Sequence, residues 1–359
     1  MIKRILIDAE RLKYPKSGLA NVCHSLIKGL NERKSSLFYT FYGPKKFLPE
    51  QLTECQTIHW KFWQKKFPIS TTTYSLIHVT HQLSDYFQKA KPVQKKVVTL
   101  HDLNFLHDNS SDRKVEKSKN LVQKNLADAD AIVCISEFVK QDFLKNKSLF
   151  KLKENVKIEV IYNGLVFPEA QNFKSDKNYS FLKKPFILNI GVLFPKKNQH
   201  VLLDLIAEND RDLVLMTSSA KSEYKENILK EIKDKGLEKR VHILENISDE
   251  EKFFLLQNCE SYAHPSLAEG FGIPPVEAMF FGKPVFLSKM TSLPEIGNDV
   301  AFYFGDFSGK KMNEVYQNGI QIFNENKDDY REKLKERASH FSYQKMAESY
   351  EKLYRDLLS

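Results

Sequence analysis

Glycine and proline are scarce in this chain, 13 of each in 359 residues, which excludes collagen-like and Pro-rich architectures. Cysteine is scarcer. Cys23, Cys55, Cys134 and Cys259 are scattered, with no C-x-x-C pair and no metal-ligand spacing; this pattern predicts buried thiols in a reducing compartment. No run approaches eighteen uncharged apolar residues, so no membrane span is expected. The opening Met1-Ile-Lys-Arg-Ile-Leu-Ile-Asp8 moves directly into a strand-like run, without the long apolar stretch of a signal peptide. A cytoplasmic protein is expected, or one resting on the inner face of a membrane. There is no G-x-G-x-x-G after the first strand and no G-x-x-x-x-G-K-[ST], so dinucleotide and ATP chemistry have little support.

What is present is a soluble-protein composition, 42% hydrophobic and 28% charged, in a chain whose length favours two domains. Its formal charge is +9. The halves differ: residues 1–160 carry 28 basic and 16 acidic groups, residues 161–359 carry 27 and 30. A positive excess confined to one half points to an anionic partner there.

Strand-like and helical segments alternate along the chain. Apolar strands are predicted at Ile2–Asp8, Tyr74–Val79, Lys96–Leu100, Ala131–Ile135 and Val156–Ile161, with a helix from about Leu19 to Leu30. Residues 165–184 turn polar and read as a linker. A second series follows at Phe186–Gly191, Asp212–Met216, Val241–Leu244, Ser261–His264 and Pro284–Leu287, and helical segments at about Asp306–Ala338 and Gln344–Leu358 close the chain. The expected fold is α/β: an N-terminal Rossmann-like domain over 1–164, a linker over 165–184, a second Rossmann-like domain over 185–340, and a C-terminal helix within 341–359 crossing back to the first. The cleft between two such domains is the default ligand site.

The most informative window is Ser266-Leu-Ala-Glu269-Gly-Phe-Gly-Ile-Pro-Pro-Val-Glu277-Ala-Met. Two glutamates eight residues apart enclose Gly-Phe-Gly, and Pro274–Pro275 suit a first helical turn. The glycines admit a close ligand, and the free N–H groups of a helix start can bind anionic or hydroxyl oxygens. The plain alternative makes Glu277 a helix-dipole partner and Glu269 a solvated loop residue.

This window closely resembles that of the retaining glycosyltransferases of family 4, which have the GT-B fold of two facing Rossmann domains. The resemblance continues through most of the chain, in the family's order: Ile5-Leu-Ile-Asp8 with Ser17-Gly18, Val98-Thr-Leu-His101-Asp102, Ala129-Asp130-Ala-Ile-Val-Cys-Ile-Ser136-Glu137, Val160-Ile-Tyr-Asn163-Gly164, Asn189-Ile-Gly191-Val-Leu-Phe-Pro195-Lys196-Lys197-Asn198, Ser292-Leu-Pro-Glu295 and Phe341-Ser-Tyr343.

The resemblance implies roles. Lys196 and Lys197, placed where a helix over Asn198–Glu208 is predicted to begin, would hold the donor diphosphate; two cations there oppose the helix dipole unless an anion is bound. The family usually has Arg then Lys, so Lys196 lacks the guanidinium fork. Glu277 falls to the ribose hydroxyls and Glu269 to the sugar hydroxyls, with Gly270, Phe271, Gly272 and Ile273 as donor-binding backbone. His101 falls to the sugar or acceptor side, with Asp102 placed to orient its imidazole. Gly18 would let the first loop approach the diphosphate or acceptor. His101, Lys197 and Glu269 are thus the expected catalytic residues, with Glu269 as covalent nucleophile standing beside front-face attack.

No cofactor and no metal are implied. Asp128-Ala-Asp130 matches the D-x-D of metal-dependent transferases, but it directly precedes a buried strand, and a helix-to-strand turn explains it. The run His59-Trp-Lys-Phe-Trp-Gln-Lys-Lys-Phe67 favours membrane or acceptor contact over nucleic acid, which is not an expected partner. Where the family commonly has a glycine after Leu213-Val-Leu-Met216, this chain has Thr217-Ser218-Ser219.

The His101 strand and the Ser17-Gly-Leu-Ala20 loop together resemble the mannosyltransferase-like branch. The expectation is a retaining hexosyltransferase using a nucleotide sugar, GDP-mannose first among them. Its acceptor would be a saccharide or lipid-linked saccharide in envelope polysaccharide synthesis. The rivals are an epimerase of the same fold and a non-catalytic GT-B subunit. The oligomeric state is not legible.

Overall fold

The computed structural model describes residues 2–15, 17–50, 52–67, 69–107, 111–218 and 222–359. Two units emerge, one from Met1–Val166 together with Phe341–Ser359 and the other from Phe167–His340. The sheet of the first unit contains β1 Lys3–Asp8, β2 Leu37–Gly43, β3 Cys55–His59, β4 Leu76–Val79, β5 Lys95–Leu100, β6 Ala131–Cys134 and β7 Lys157–Val160. Their order is β3-β2-β1-β4-β5-β6-β7, with every neighbouring pair parallel. The second unit contains β8 Phe186–Ile190, β9 Asp212–Thr217, β10 Val241–Glu245, β11 Ser261–His264, β12 Val285–Ser288 and β13 Phe302–Phe304. Their order is β10-β9-β8-β11-β12-β13, again all parallel.

Parallel strands are covered on both faces, which requires near-continuous apolar runs. β6 (Ala-Ile-Val-Cys) and β4 are buried at every position, as is β8. All four cysteines are buried free thiols. The first sheet has two strands that the apolar runs did not reveal. β2, Leu-Phe-Tyr-Thr-Phe-Tyr-Gly, is aromatic rather than aliphatic, and β3 is a half-exposed edge strand. The helical segment expected over Asp306–Ala338 is two helices, Gly309–Glu325 and Lys327–Ser339, broken at Asn326.

The polar stretch 167–184 groups with the second unit. Phe173 packs on Phe253 and Phe281, and Phe181 on Phe186. Ser175 and Tyr179 each donate to Glu251 Oε1 at 2.6 Å. Few aromatics are enough to anchor a segment whose remaining residues are solvated.

The helix Tyr343–Leu358 closes the first unit. It packs on the helix Gly18–Glu32 so tightly that a Cβ on Gly29 would lie 2.6 Å from Ala347 Cβ. Tyr350 Oη lies 2.8 Å from Thr99 Oγ1 and Tyr354 Oη 2.7 Å from His78 Nδ1. Buried Glu351 accepts from Arg33 at 2.5 Å and Arg355 at 2.6 Å. Strand order reverses beside β1 in one sheet and beside β8 in the other, and ligands of such sheets bind outside the carboxyl ends of the strands at that reversal. Those ends bear Asp8 and Thr80 in the first unit, Gly191 and His264 in the second.

Candidate active site

In the second unit, the period of two along β11 puts Tyr262 and His264 on one face, their rings stacked at 5.9 Å. The strand ends at His264, and the chain loops through 265–272 into the helix Ile273–Phe280. The turn depends on Gly272. Its φ of 111° is one that side chains rarely tolerate, and a Cβ there would lie 3.0 Å from Leu293 Cδ2. Ile273, Pro274 and Pro275 follow as the first helical residues, where proline's missing N–H has no partner to lose.

Glu269 is the hub of this loop. Its Oε1 accepts from Lys197 Nζ at 2.5 Å and lies 2.7 Å from His264 Nε2. Its backbone N–H donates to Thr291 Oγ1 at 3.0 Å and its carbonyl accepts from Ser292 Oγ at 3.0 Å. Burial alone would raise the carboxyl pKa, but Lys197 and His264 outweigh it and hold the group well below the usual carboxylate range. Ser292 Oγ also donates to the carbonyl of buried Phe271 at 2.8 Å, which fixes the backbone around Gly270.

Glu277 is held by a second ion pair: Lys252 Nζ lies 2.7 Å from its Oε1. Lys252 comes from the helix Asp249–Asn258 and is buried. Burial pulls the ammonium pKa down, but Glu277 and Asp249 override that and raise it, so the cation persists.

Lys196 and Lys197 occupy a single 3-10 turn, Pro195–Lys197. The turn is closed by Asn198 in the left-handed region, and the α-helix begins only at Val201. The expected helix start at Asn198 is therefore corrected, because an Asn that adopts left-handed backbone ends the turn instead of opening a helix. The lysines do not face a macrodipole. The carbonyl of Lys196 accepts from the Leu267 N–H at 2.8 Å and from Ser266 Oγ at 3.2 Å, clipping the two loops together. Lys196, Lys197, Glu269, Gly270, Phe271, Gly272 and Ile273 thus lie on two loops and one helix start in the second unit, and Glu277 lies in that helix beyond its first turn, away from the position a helix-dipole partner would take. His264 and Lys252 are the partners that the motif did not reveal. His264 had the same signal as His101, a histidine ending a strand, whereas Lys252 had none within its charged helix.

His101 belongs to the first unit, at the end of β5. Its Nε2 donates to the Thr80 carbonyl at 2.9 Å, and its ring stacks on His81 at 4.9 Å. Burial pushes the imidazole down to about 4, so the ring is neutral. Thr80, not Asp102, is the acceptor for that N–H, and Asp102 Oδ1 accepts the N–H of Asn104 at 3.0 Å. His101 borders a cavity of about 20 Å³, room for one water, lined also by Arg11, Cys23, Thr99 and Asn163. Gly18 is the first residue of its helix, whose cap Ser17 accepts the Ala20 N–H at 3.2 Å. At the end of β1, Ser84 Oγ lies 2.5 Å from Asp8 Oδ2 and 3.1 Å from Glu10 Oε2. Burial and Glu10 push Asp8 up to about 7.

The two aspartates of the D-x-D element are engaged with lysine. Asp128 Oδ1 accepts from Lys96 Nζ at 2.6 Å, while Asp130 Oδ2 accepts the Lys96 N–H at 2.8 Å. In the aromatic-basic run, Gln64 is buried and bonded to Tyr42, and Lys65 pairs with Asp85 at 2.6 Å. Trp63 and Phe67 of that run are exposed. Thr217 is buried at the end of β9, while Ser219 lies outside the described residues.

A sequence profile described as "Glycosyl transferases group 1" matches residues 170–341. The chain is 24% identical over 330 residues to the O-antigen chain mannosyltransferase B of Escherichia coli, covering 82% of this chain and 85% of that protein. It is 25% identical over 231 residues to the O-antigen chain mannosyltransferase RfbU of Salmonella typhimurium, covering 64% of this chain and 62% of that one. With the serotype-specific mannosyltransferase WbdA of E. coli it shares 31% identity over 176 residues, 47% of this chain and 22% of WbdA. The fold is similar to that of Anabaena Alr3699/HepE in complex with UDP and glucose (TM-score 0.72, 19% identity, 99% of this chain and 100% of that one). It is similar also to sucrose-phosphate synthase from Thermosynechococcus elongatus (TM-score 0.74, 18% identity, 99% of each chain). The chain carries the GT-B fold, and its residues 170–341 match the group 1 glycosyl transferases.

Proposed function

We propose that the protein is a retaining, metal-independent hexosyltransferase that moves mannose from GDP-mannose to a saccharide or lipid-linked saccharide in envelope polysaccharide synthesis. The observation that carries this reading is the contact of Lys197 with Glu269, which sets a cation beside a buried carboxylate at the Gly-Phe-Gly turn. Such a pair suits a substrate with an anionic diphosphate next to a hydroxyl-rich sugar. Among the described residues both contacts of the Glu269 carboxylate fall on Oε1, which leaves Oε2 for sugar hydroxyls. Glu277, steadied by Lys252, takes the ribose hydroxyls.

In this reading the C1–phosphate bond of the donor breaks while the acceptor oxygen bonds to C1 on the same face. The acceptor proton passes to the departing phosphate oxygen. Lys197, with Lys196 beside it, offsets the charge that develops on the diphosphate. The relatives named as mannosyltransferases support mannose as the sugar. No helix among the described residues is long and apolar enough to cross a membrane. The proposed location is the cytoplasm, with the N-terminal half resting on the inner membrane face.

Thermal shift against GDP-mannose, UDP-glucose, UDP-galactose and ADP-glucose tests the donor, since a bound ligand raises apparent stability. GDP-mannose alone should raise the melting temperature at micromolar concentration, and a response confined to a uridine or adenosine donor would replace the donor assignment. The anomeric configuration of the product, read by NMR with and without chelator, tests retention and metal independence.

A further inference from the structure

We infer that His264, held by Tyr262, is a positioning residue that fixes the Glu269 carboxylate through Nε2–H when the donor diphosphate draws on Lys197. The inference rests on the proposed function for its catalytic consequence, but its geometry stands on the protein alone.

A carboxylate only accepts hydrogen bonds, so the 2.7 Å contact to Glu269 Oε1 requires a proton on His264 Nε2. The other ring nitrogen, Nδ1, lies 3.0 Å from Tyr262 Oη. Tyr262 is fully buried, and burial keeps its phenol protonated far above the ordinary range. Its hydroxyl is seated at the end of β8, where Oη receives the Ile190 N–H at 3.4 Å and donates to the Ile190 carbonyl at 3.3 Å. The contact to Nδ1 is shorter than either of these, so the seated hydroxyl holds the His264 ring from its Nδ1 side. The result is a chain of contacts from Ile190 through the Tyr262 hydroxyl and the His264 ring to Glu269. The second partner of Oε1 is Lys197, which reaches it from the 3-10 turn at 2.5 Å.

The two partners of Oε1 differ in kind. Lys197 is a point charge on a four-carbon stem and can turn toward an arriving diphosphate. His264 stands at the end of a buried strand with its ring locked by stacking and by Tyr262. It therefore keeps Oε1 in place, and with it the direction of Oε2, while the lysine charge is shared with the substrate. Nothing in the sequence motif demands a histidine there. The role comes from the strand end that β11 shares with β8.

The experiment has two arms. In the first, long-range proton–nitrogen NMR of the full-length, ligand-free protein reads the His264 ring, assigned through His264→Gln. A proton on Nε2 is expected, with Tyr262→Phe shifting the Nδ1 resonance; a bare Nε2 overturns the inference whatever the enzyme's substrate. In the second, GDP-mannose hydrolysis and GDP affinity are measured for folded variants. His264→Ala should lower kcat by about tenfold to a hundredfold, the range for a hydrogen bond to a charged group. GDP affinity should stay within about twofold, and His264→Gln should recover most of the rate. A His264→Ala rate equal to wild type, or an equal loss in His264→Gln, overturns the role. If wild type binds no GDP, the donor assignment fails, and the NMR arm alone decides on the positioning chain.

Discussion

Lys197 and Glu269 are 72 residues apart in sequence, yet Nζ and Oε1 lie 2.5 Å apart in the second unit. Their side chains are 17% and 13% exposed, so the pair is largely withdrawn from water. Breaking such a pair from one side leaves an uncompensated charge, which costs about 3–5 kcal/mol. His264 remains on Glu269 when the lysine is removed, which places this pair toward the lower end.

Lys197→Ala should therefore do two separable things. Urea denaturation should show a loss of roughly 3 kcal/mol in the stability of the second unit. Below the unfolding transition, affinity for both free nucleotide diphosphate and intact donor should fall by roughly 1.5–3 kcal/mol. Unchanged affinity for the free nucleotide would remove Lys197 from the phosphate site and leave it a structural partner of Glu269.

The two glutamates should separate by what they bind. Glu277→Gln should weaken nucleotide binding even with no sugar present, because its proposed partners are ribose hydroxyls. Lys252→Met should reproduce that loss without touching the ligand, since Lys252 Nζ holds Glu277 Oε1 at 2.7 Å. Glu269→Gln spares the nucleotide and depresses turnover. Titration calorimetry with the free nucleotide, alongside turnover, reads all three; equal nucleotide losses in Glu269→Gln and Glu277→Gln contradict the division.

The sequence disclosed the sheet cores and the main loop of the site because each is written in local chemistry. Ala-Ile-Val-Cys, short and bounded by turn residues, suits a covered strand, and Gly-Phe-Gly-Ile-Pro-Pro suits a turn into a helix. It hid β2 and β3, where aromatic and polar residues break the aliphatic pattern. It also misled at Asn198, whose left-handed backbone is a property of one residue rather than of a run. Lys252 was illegible as a partner because an ion pair between distant elements leaves no local trace, while His264 showed a histidine at a strand end but not which side chain it meets. The charge of a residue is visible in sequence, but the residue opposite it is not.

Acid should destabilise the first unit before it reaches ordinary carboxylates. Burial pushes His78 down to about 3 and His101 down to about 4, and His81 well below its ordinary value. Between about pH 4 and 6.5 these three take up protons only on unfolding, so stability falls as pH falls through that window. Asp8, pushed up to about 7, has the opposite sign, because it holds a proton in the folded state that the unfolded chain releases. Three protons outweigh one, giving a net slope of at most about 2–3 kcal/mol per pH unit. Both tryptophans, Trp60 and Trp63, lie in the first unit, so urea unfolding followed by their fluorescence at pH 7 and pH 5 measures it. His78→Gln should flatten the slope and Asp8→Asn should steepen it; a stability that rises on acidification contradicts the histidine assignment.

Membrane contact should follow from the surface of the first unit. Phe67 is 70% exposed, Val93 89% and Trp63 45%, and Lys61, Lys65, Lys66, Lys89 and Lys91 lie close to them in sequence. Aromatic side chains settle at the headgroup level, and each basic residue near an anionic leaflet gains about 1 kcal/mol. Lys65 is already paired with Asp85, which discounts its share. Sedimentation with anionic and neutral vesicles across a salt series should give binding to the anionic vesicles that declines as salt rises. Trp63→Ser with Phe67→Ser should weaken it at every salt concentration, and Lys66→Glu chiefly at low salt. Binding that ignores lipid charge, or none at low salt, would leave the protein free of the membrane and shift the acceptor assignment from lipid-linked to soluble saccharide.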